Sequence, residues 1–402
     1  MLLVLLRKFE ADGDNLILLS ELQRELFRSI ACVEKSRDRL KNKLIALKIA
    51  KRHGRLSREE SVSVKQKIKS VDSNIAKYDE TLYLIRAIGD GVAFTIFDKW
   101  DLKPLHFKEA AGRVSGKAGA KLERKILNFI LKRGVPAVHC DVTNVIRYGD
   151  VCARMHSFPF LIEVKSSKNK NDRVERQLES IRKLHGYWAT DEIEGLYGVP
   201  LTTRISPSMR EVEYTSELNE LIAQSIAEDC VWKFVEPGLA YIIMRRFDES
   251  AFNEITKDMS KPVLGILNQD KFSGLWASYR PYTIAIRDID NLLDFVYGYF
   301  SIIVIYDEGA VFRYAAERGY SASLVAEHIE RLPEFVDPGQ HIYRFSNIPS
   351  DSEPIDPAVF YVSFHFVGRS QFEFVSIRWL VDASIDNIDS SLASPELLGQ
   401  CL

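Results

Sequence analysis

The 402-residue chain predicts a mixed α+β (α/β) fold in three parts: an N-terminal helical, coiled-coil hairpin over 1–90, an αβββα segment within 91–215, and an α+β domain over 216–402. Three observations predict it. Two heptad seams lie between Leu26 and Ile85. After Pro136 the apolar period shortens from helical to strand-like, with a helical stretch on either side. Beyond residue 230, aromatic and β-branched runs alternate with helical ones. With 46% hydrophobic and 27% charged residues, the composition excludes a disordered, collagenous or low-complexity chain.

In the hairpin, Leu26, Ile30, Val33, Leu40, Leu44 and Leu47 recur at spacings of four and three, with Arg37 at the missing step. Ile68, Val71, Ile75, Tyr78, Leu82 and Ile85 repeat the pattern after a capping box at Ser57–Glu60, where hydroxyl and carboxylate can satisfy free helix N–H groups. Structural support is the simplest role for this pair; a homodimer interface and a nucleic-acid arm are the alternatives. Gly89-Asp90-Gly91 reads as a break, and Val92–Phe97 as a strand. A Gly/Ser/Ala loop over 110–119 leads to a helix at Ala120–Lys132, ended by Gly134 and Pro136. Strands are expected over 137–145, 147–155 and 160–166, then a helix over Asp172–Trp188 and a loop over Pro200–Pro207. Further strands are expected at 240–244, 282–286, 300–306, 359–366 and 372–377, with a helix at 321–332. No chemical motif marks this last region, which is expected to recognise nucleic acid or a protein partner.

The chemistry concentrates in 147–167. Alternation along the third strand of the middle segment turns Phe160, Ile162 and Val164 toward a core and Glu163 and Lys165 together the other way. A turn at His156–Pro159 folds Asp150 back opposite that stretch. Burying a carboxylate and an ammonium costs desolvation unless they serve each other or a ligand. Two carboxylates suit a hard divalent cation, Mg²⁺ or Mn²⁺, and a lysine beside them can stabilise charge on a reacting phosphate. Asp141 competes with Asp150 but reads better as a turn residue. His139 and His156 read as ordinary hydrogen-bonding histidines, and Cys140 and Cys152 as small packed residues.

Asp150, twelve intervening residues and Glu163-Val164-Lys165, between two helices, resemble the PD-(D/E)xK superfamily with its restriction-endonuclease-like core. Gly149 stands where that pattern has proline. The resemblance covers about residues 115–190. It implies metal ligands Asp150 and Glu163, joined by Glu123 from the first helix, and catalytic roles for Lys165 and Gln177. It implies phosphate contacts from Lys168, Arg173 and Arg176. The expected activity is a Mg²⁺- (or Mn²⁺-) dependent endonuclease hydrolysing DNA phosphodiesters, with architecture like that of bacterial or phage-related defence and restriction effectors. A non-catalytic nucleic-acid-binding or assembly protein on the same fold, and an RNA-directed nuclease, are the alternatives.

Charge distribution agrees. The net charge of −2 sums opposed regions: 14 Lys/Arg against 7 Asp/Glu over 31–80, 9 against 2 over 103–133, and 7 against 3 over 165–187. Residues 345–402 are acidic, with Arg369 and Arg378 their only Lys/Arg residues. A basic region next to the motif favours a polyanion. Five cysteines without a C-x-x-C pair, no signal-peptide pattern and no long apolar stretch lead to the expectation of a cytoplasmic protein with no membrane partner.

Overall fold

The computed structural model describes residues 1–54, 56–106, 111–117, 119–155, 158–165, 172–195, 201–204, 209–325, 343–347, 359–362 and 364–392. The chain is mixed α and β, with a helical N-terminal region and small antiparallel sheets. It divides into two compact units: Met1–His185 with Phe272–Thr283, and Gly186–Lys271 with Ile284–Leu402.

The first unit opens with α1 (Leu2–Ala11), α2 (Leu16–His53) and α3 (Arg58–Ile96). Asn15 caps α2 by accepting from Leu18 N–H at 3.0 Å. Ser57 and Glu60 form the reciprocal capping box of α3. The heptad seams face each other within this hairpin: Leu26, Ile30, Val71, Ile75 and Leu82 are buried, each worth about 1.5–3 kcal/mol over exposure. Arg37, at the step without an apolar residue, pairs across the hairpin with Asp79 at 2.8 Å.

Helix α3 does not stop at Gly89-Asp90-Gly91, and Val92–Ile96 is helix rather than strand. Helix α3 is buried over most of its surface here, with only Phe94 and Thr95 half-buried, so its sequence loses the polar face that marks a helical period. Gly89 serves close approach instead: a Cβ would lie 1.9 Å from the Val142 carbonyl oxygen. Asp90, one residue on, accepts from the backbone N–H groups of Asn144 (2.5 Å) and Val145 (2.9 Å) and from the Asn144 amide (2.9 Å).

A short helix α4 (Lys99–Leu102) precedes α5 (Ala120–Lys132), β1 (Ala137–His139), β2 (Val151–Met155), β3 (Phe158–Ile162) and α6 (Asp172–Thr190). The sheet order is β1-β2-β3, all antiparallel, with Val138 opposite Cys152 and Ala153 opposite Phe160. The free edge of β1 is satisfied by Gln23 of α2, which donates to Ala137 O and accepts from His139 N–H, both at 2.9 Å. The strands are shorter than expected, and the facing of β3 is reversed. Leu161 is buried while Phe160 is 42% exposed and stacks on His185 of α6. The strand ends at Ile162, so Glu163 and Lys165 lie beyond the ladder and their direction is not set by its alternation. Phe272–Thr283 joins this unit through Tyr83 Oη donating to Ser273 O (2.5 Å) and Thr283 Oγ1 donating to Ala87 O (2.8 Å).

The second unit contains the hairpin β4 (Glu192–Glu194) and β5 (Leu201–Thr203), α7 (Thr215–Gln224), β6 (Cys230–Glu236), β7 (Leu239–Met244), α8 (Glu249–Thr256) and β8 (Pro262–Ile266). The short α9 (Gly274–Ala277) and the start of α10 (Tyr282–Ala285) lie in the segment that joins the first unit. Then come α11 (Ile289–Tyr297), β9 (Ser301–Asp307), α12 (Glu308–Glu317), β10 (Tyr320–Leu324), β11 (Tyr343–Asn347), β12 (Val359–Val362), α13 (Phe364–Phe372) and α14 (Ile377–Leu392). One sheet is ordered β6-β7-β9-β8 and a second β10-β11-β12. Ala240, Ile242, Ile303 and Ile305 pack with Ile255 of α8.

The strands expected at 240–244 and 300–306 are present, but Tyr282–Ala285 is helical and the strand at 359 gives way to α13 at Phe364. Residues 372–377 run from the last residue of α13 through a buried link, with Val375 bridged to Glu213, to the first residue of α14. The expected helix at 321 begins as strand β10, and 326–332 lies outside the described residues. The misread strands at 282, 359 and 372 fall on short apolar stretches, where periodicity cannot separate strand from buried helix. Among the described residues no helix is long and apolar enough to cross a membrane.

Candidate metal centre

The turn into β2 brings Asp150 to the end of the sheet. Gly149 has φ +71, a left-handed conformation that glycine adopts without strain and proline cannot adopt. Asp150 N–H then donates to Ile162 O at 2.9 Å, and Asp150 Oδ2 accepts from Val164 N–H at 2.8 Å. The Asp150 carboxylate is thereby fixed beside Glu163.

Helix α5 presents Glu123 from its first turn, buried to 4% exposure. Its Oε2 lies 3.1 Å from His139 Nε2. His139 Nδ1 accepts from Asp141 N–H at 3.2 Å, so Nε2 carries the ring proton and donates to Glu123. Burial disfavours the Glu123 carboxylate, but the bonds from His139 and Lys117 outweigh it and its pKa lies below the ordinary glutamate value.

Lys117 stands among these carboxylates. Its Nζ is 2.5 Å from Asp141 Oδ2, 3.1 Å from Glu123 Oε2 and 3.9 Å from Asp150 Oδ1. Burial works against the ammonium, yet the Asp141 and Glu123 charges raise its pKa above the usual lysine value. Gly112 lets the loop approach Asp141, since a Cβ there would meet Asp141 Oδ1 at 2.4 Å. Buried Glu34 of α2 holds the same loop, accepting from Val114 N–H (3.2 Å) and from Ser115 N–H (3.1 Å). Arg86 of α3 pairs with Glu34 at 3.5 Å and donates to Gly112 O and Asp141 O, both at 3.0 Å.

Negative charge exceeds positive here. Burial, the nearby Glu123 charge and the Asp141 charge raise the Asp150 pKa against the Val164 hydrogen bond and Lys117. Glu163 is pushed up to about 7, first by burial and then by the Asp150 charge, with Lys165 opposing. The donor set is hard carboxylate oxygen, which fits Mg²⁺ or Mn²⁺. Glu123, His139 and Asp141 also lie within metal-sharing distance of one another. Both His139 nitrogens are already committed, so the imidazole orients Glu123 and offers no free lone pair.

Of the residues named from sequence, the structure gathers Asp150, Glu163 and Glu123, with exposed Lys165 acting on Glu163. Asp141 carries a carboxylate of the cluster, beyond the turn role expected of it. Gln177 and Arg176 are exposed on α6, and Arg173 lies in that helix's first turn. Among the described residues no hydrogen bond joins Gln177 to the carboxylates. Lys168 lies outside the described residues. Lys117 and His139 were not expected in the site. Lys117 comes from an aperiodic loop, and its only sequence signal is a lysine between Gly116 and Gly119 just before an acidic helix start. Comparison of the chain with family models, curated proteins and solved structures finds no match.

Proposed function

We propose that the protein is a Mg²⁺- or Mn²⁺-dependent endonuclease that hydrolyses DNA phosphodiester bonds, on a middle segment of restriction-endonuclease-like type. One observation carries this reading: Glu123, Asp141, Asp150 and Glu163 converge where, among the described residues, Lys117 is the single cation held within ion-pair distance of three of them. A divalent cation would balance that excess, and when bound it would polarise a phosphate oxygen and acidify a water. Asp150 and Glu163 would hold it, joined by Glu123. The Val164 N–H fixes Asp150, and His139 fixes Glu123, so neither carboxylate has to reorganise during reaction. Lys165, exposed beside Glu163, can meet the phosphate and stabilise its developing charge. The order α5-β1-β2-β3-α6 and the basic flanks support a nucleic-acid substrate.

The rival reading is a structural ion-pair network on a non-catalytic nucleic-acid-binding protein, which the close fit of Lys117 favours. A cleavage assay on plasmid, single-stranded DNA and RNA separates the two. The wild type should cut with Mg²⁺ or Mn²⁺ and not with EDTA. Asp150→Asn and Glu163→Gln should each lower the rate at least about a hundredfold with unchanged circular dichroism. Equal inertness of wild type and variants on all three polymers rejects the enzyme reading.

A further inference from the structure

A groove of 540 Å³ runs between α2 and α5 in the first unit. Its floor is apolar, with Phe27 from α2 and Leu127 from α5. Four of its lining side chains are cationic, Arg24 and Arg28 from one helix and Arg124 and Lys132 from the other, and none of the lining residues described is acidic. All four are exposed. Arg28 is steadied by Glu25 at 3.1 Å. Arg124 donates to Ala120 O at 3.1 Å and lies 5.7 Å from the Phe27 ring centroid.

We infer that this groove holds the phosphate backbone of a nucleic acid, with Arg24, Arg28, Arg124 and Lys132 as its phosphate contacts. The inference rests on the cleavage reading for the identity of the polyanion. Cations facing each other across a concavity focus positive potential, which a single basic helix face in open solvent does not do. The groove also adjoins the carboxylate cluster. Glu123 and Leu127 are one turn apart on α5, both buried. Phe27 packs edge-on against His139 at 4.9 Å, the same imidazole that donates to Glu123. Gln23, also lining the groove, binds the backbone of His139. The groove and the cluster thus share a wall of buried side chains, and phosphates held in the groove are recognised without regard to base.

The test is equilibrium binding of labelled single-stranded DNA, duplex DNA and single-stranded RNA to the full chain in EDTA, measured by anisotropy over a salt series. Removing metal separates binding from cleavage. Arg24→Ala/Arg124→Ala/Lys132→Ala should weaken binding at least about tenfold at low salt and lower the slope of log K against log salt by about three. Arg124→Gln alone should lower it by about one, a single exposed change that leaves the fold undisturbed. Lys65→Ala/Lys67→Ala/Lys69→Ala, on the exposed surface of α3, should change it less. The polymer retaining the steepest groove-dependent slope identifies the substrate class. Equal losses in the two triple variants, unchanged binding in the groove variants, or no binding by the wild type overturns the inference. Groove-dependent binding without metal-dependent cleavage would reject the nuclease reading and leave the groove standing.

Discussion

Asp90 shows how one buried side chain can set a pH response apart from the candidate site. Burial raises its pKa to about 6 although the Asn144 side chain and the N–H groups of Asn144 and Val145 donate to it. The folded value exceeds the ordinary 3.8, so the fold favours the protonated form. This contribution is complete below about pH 4 and is lost as pH rises through about 6; two pKa units correspond to on the order of 3 kcal/mol. Asp90→Asn keeps the shape and cannot ionise. Urea unfolding between pH 4 and 7 should show wild-type stability falling relative to the variant as pH rises; parallel curves would reject the assignment. At this scale the sequence exposes Asp150, Glu163 and Glu123 because each sits in a periodic element or a recognisable spacing. It conceals Lys117, which a loop carries in, and His139, whose role exists only through its contacts with Glu123 and Asp141.

Between elements, the buried Glu34–Arg86 pair ties α2 and α3 to the loop that delivers Lys117. Glu34 accepts from two loop N–H groups, and Arg86 reaches the Gly112 and Asp141 carbonyls. Removing one member leaves a buried charge uncompensated, which costs about 3–5 kcal/mol. Glu34→Ala should therefore destabilise by about that amount and speed hydrogen exchange at the Val114 and Ser115 amides; unchanged exchange there would show that the loop is held by other contacts. Helices with a polar face were legible, as α5 over Ala120–Lys132 shows. The last turns of α3 and the short α10 were not, because elements buried over most of their surface carry no clear period. The facing of β3 was also illegible. Its alternation ends at Ile162, before Glu163, and Phe160 finds its partner in His185 of α6, far along the sequence.

Across the whole molecule, a net charge of −2 conceals a positive stretch at 103–133, which contains α5 and contributes Arg124 and Lys132 to the groove and Lys117 and Glu123 to the cluster. Four carboxylates, Glu123, Asp141, Asp150 and Glu163, gather in the cluster, and the proposed role of that excess is to hold a divalent cation. Anomalous diffraction from crystals of the full chain soaked in Mn²⁺ tests that directly. A divalent-cation site gives a peak between the Asp150 and Glu163 carboxylates, with the Lys117 ammonium displaced from Asp141 and Glu123. Lys117 unmoved on both carboxylates, with no manganese peak among them, would contradict it.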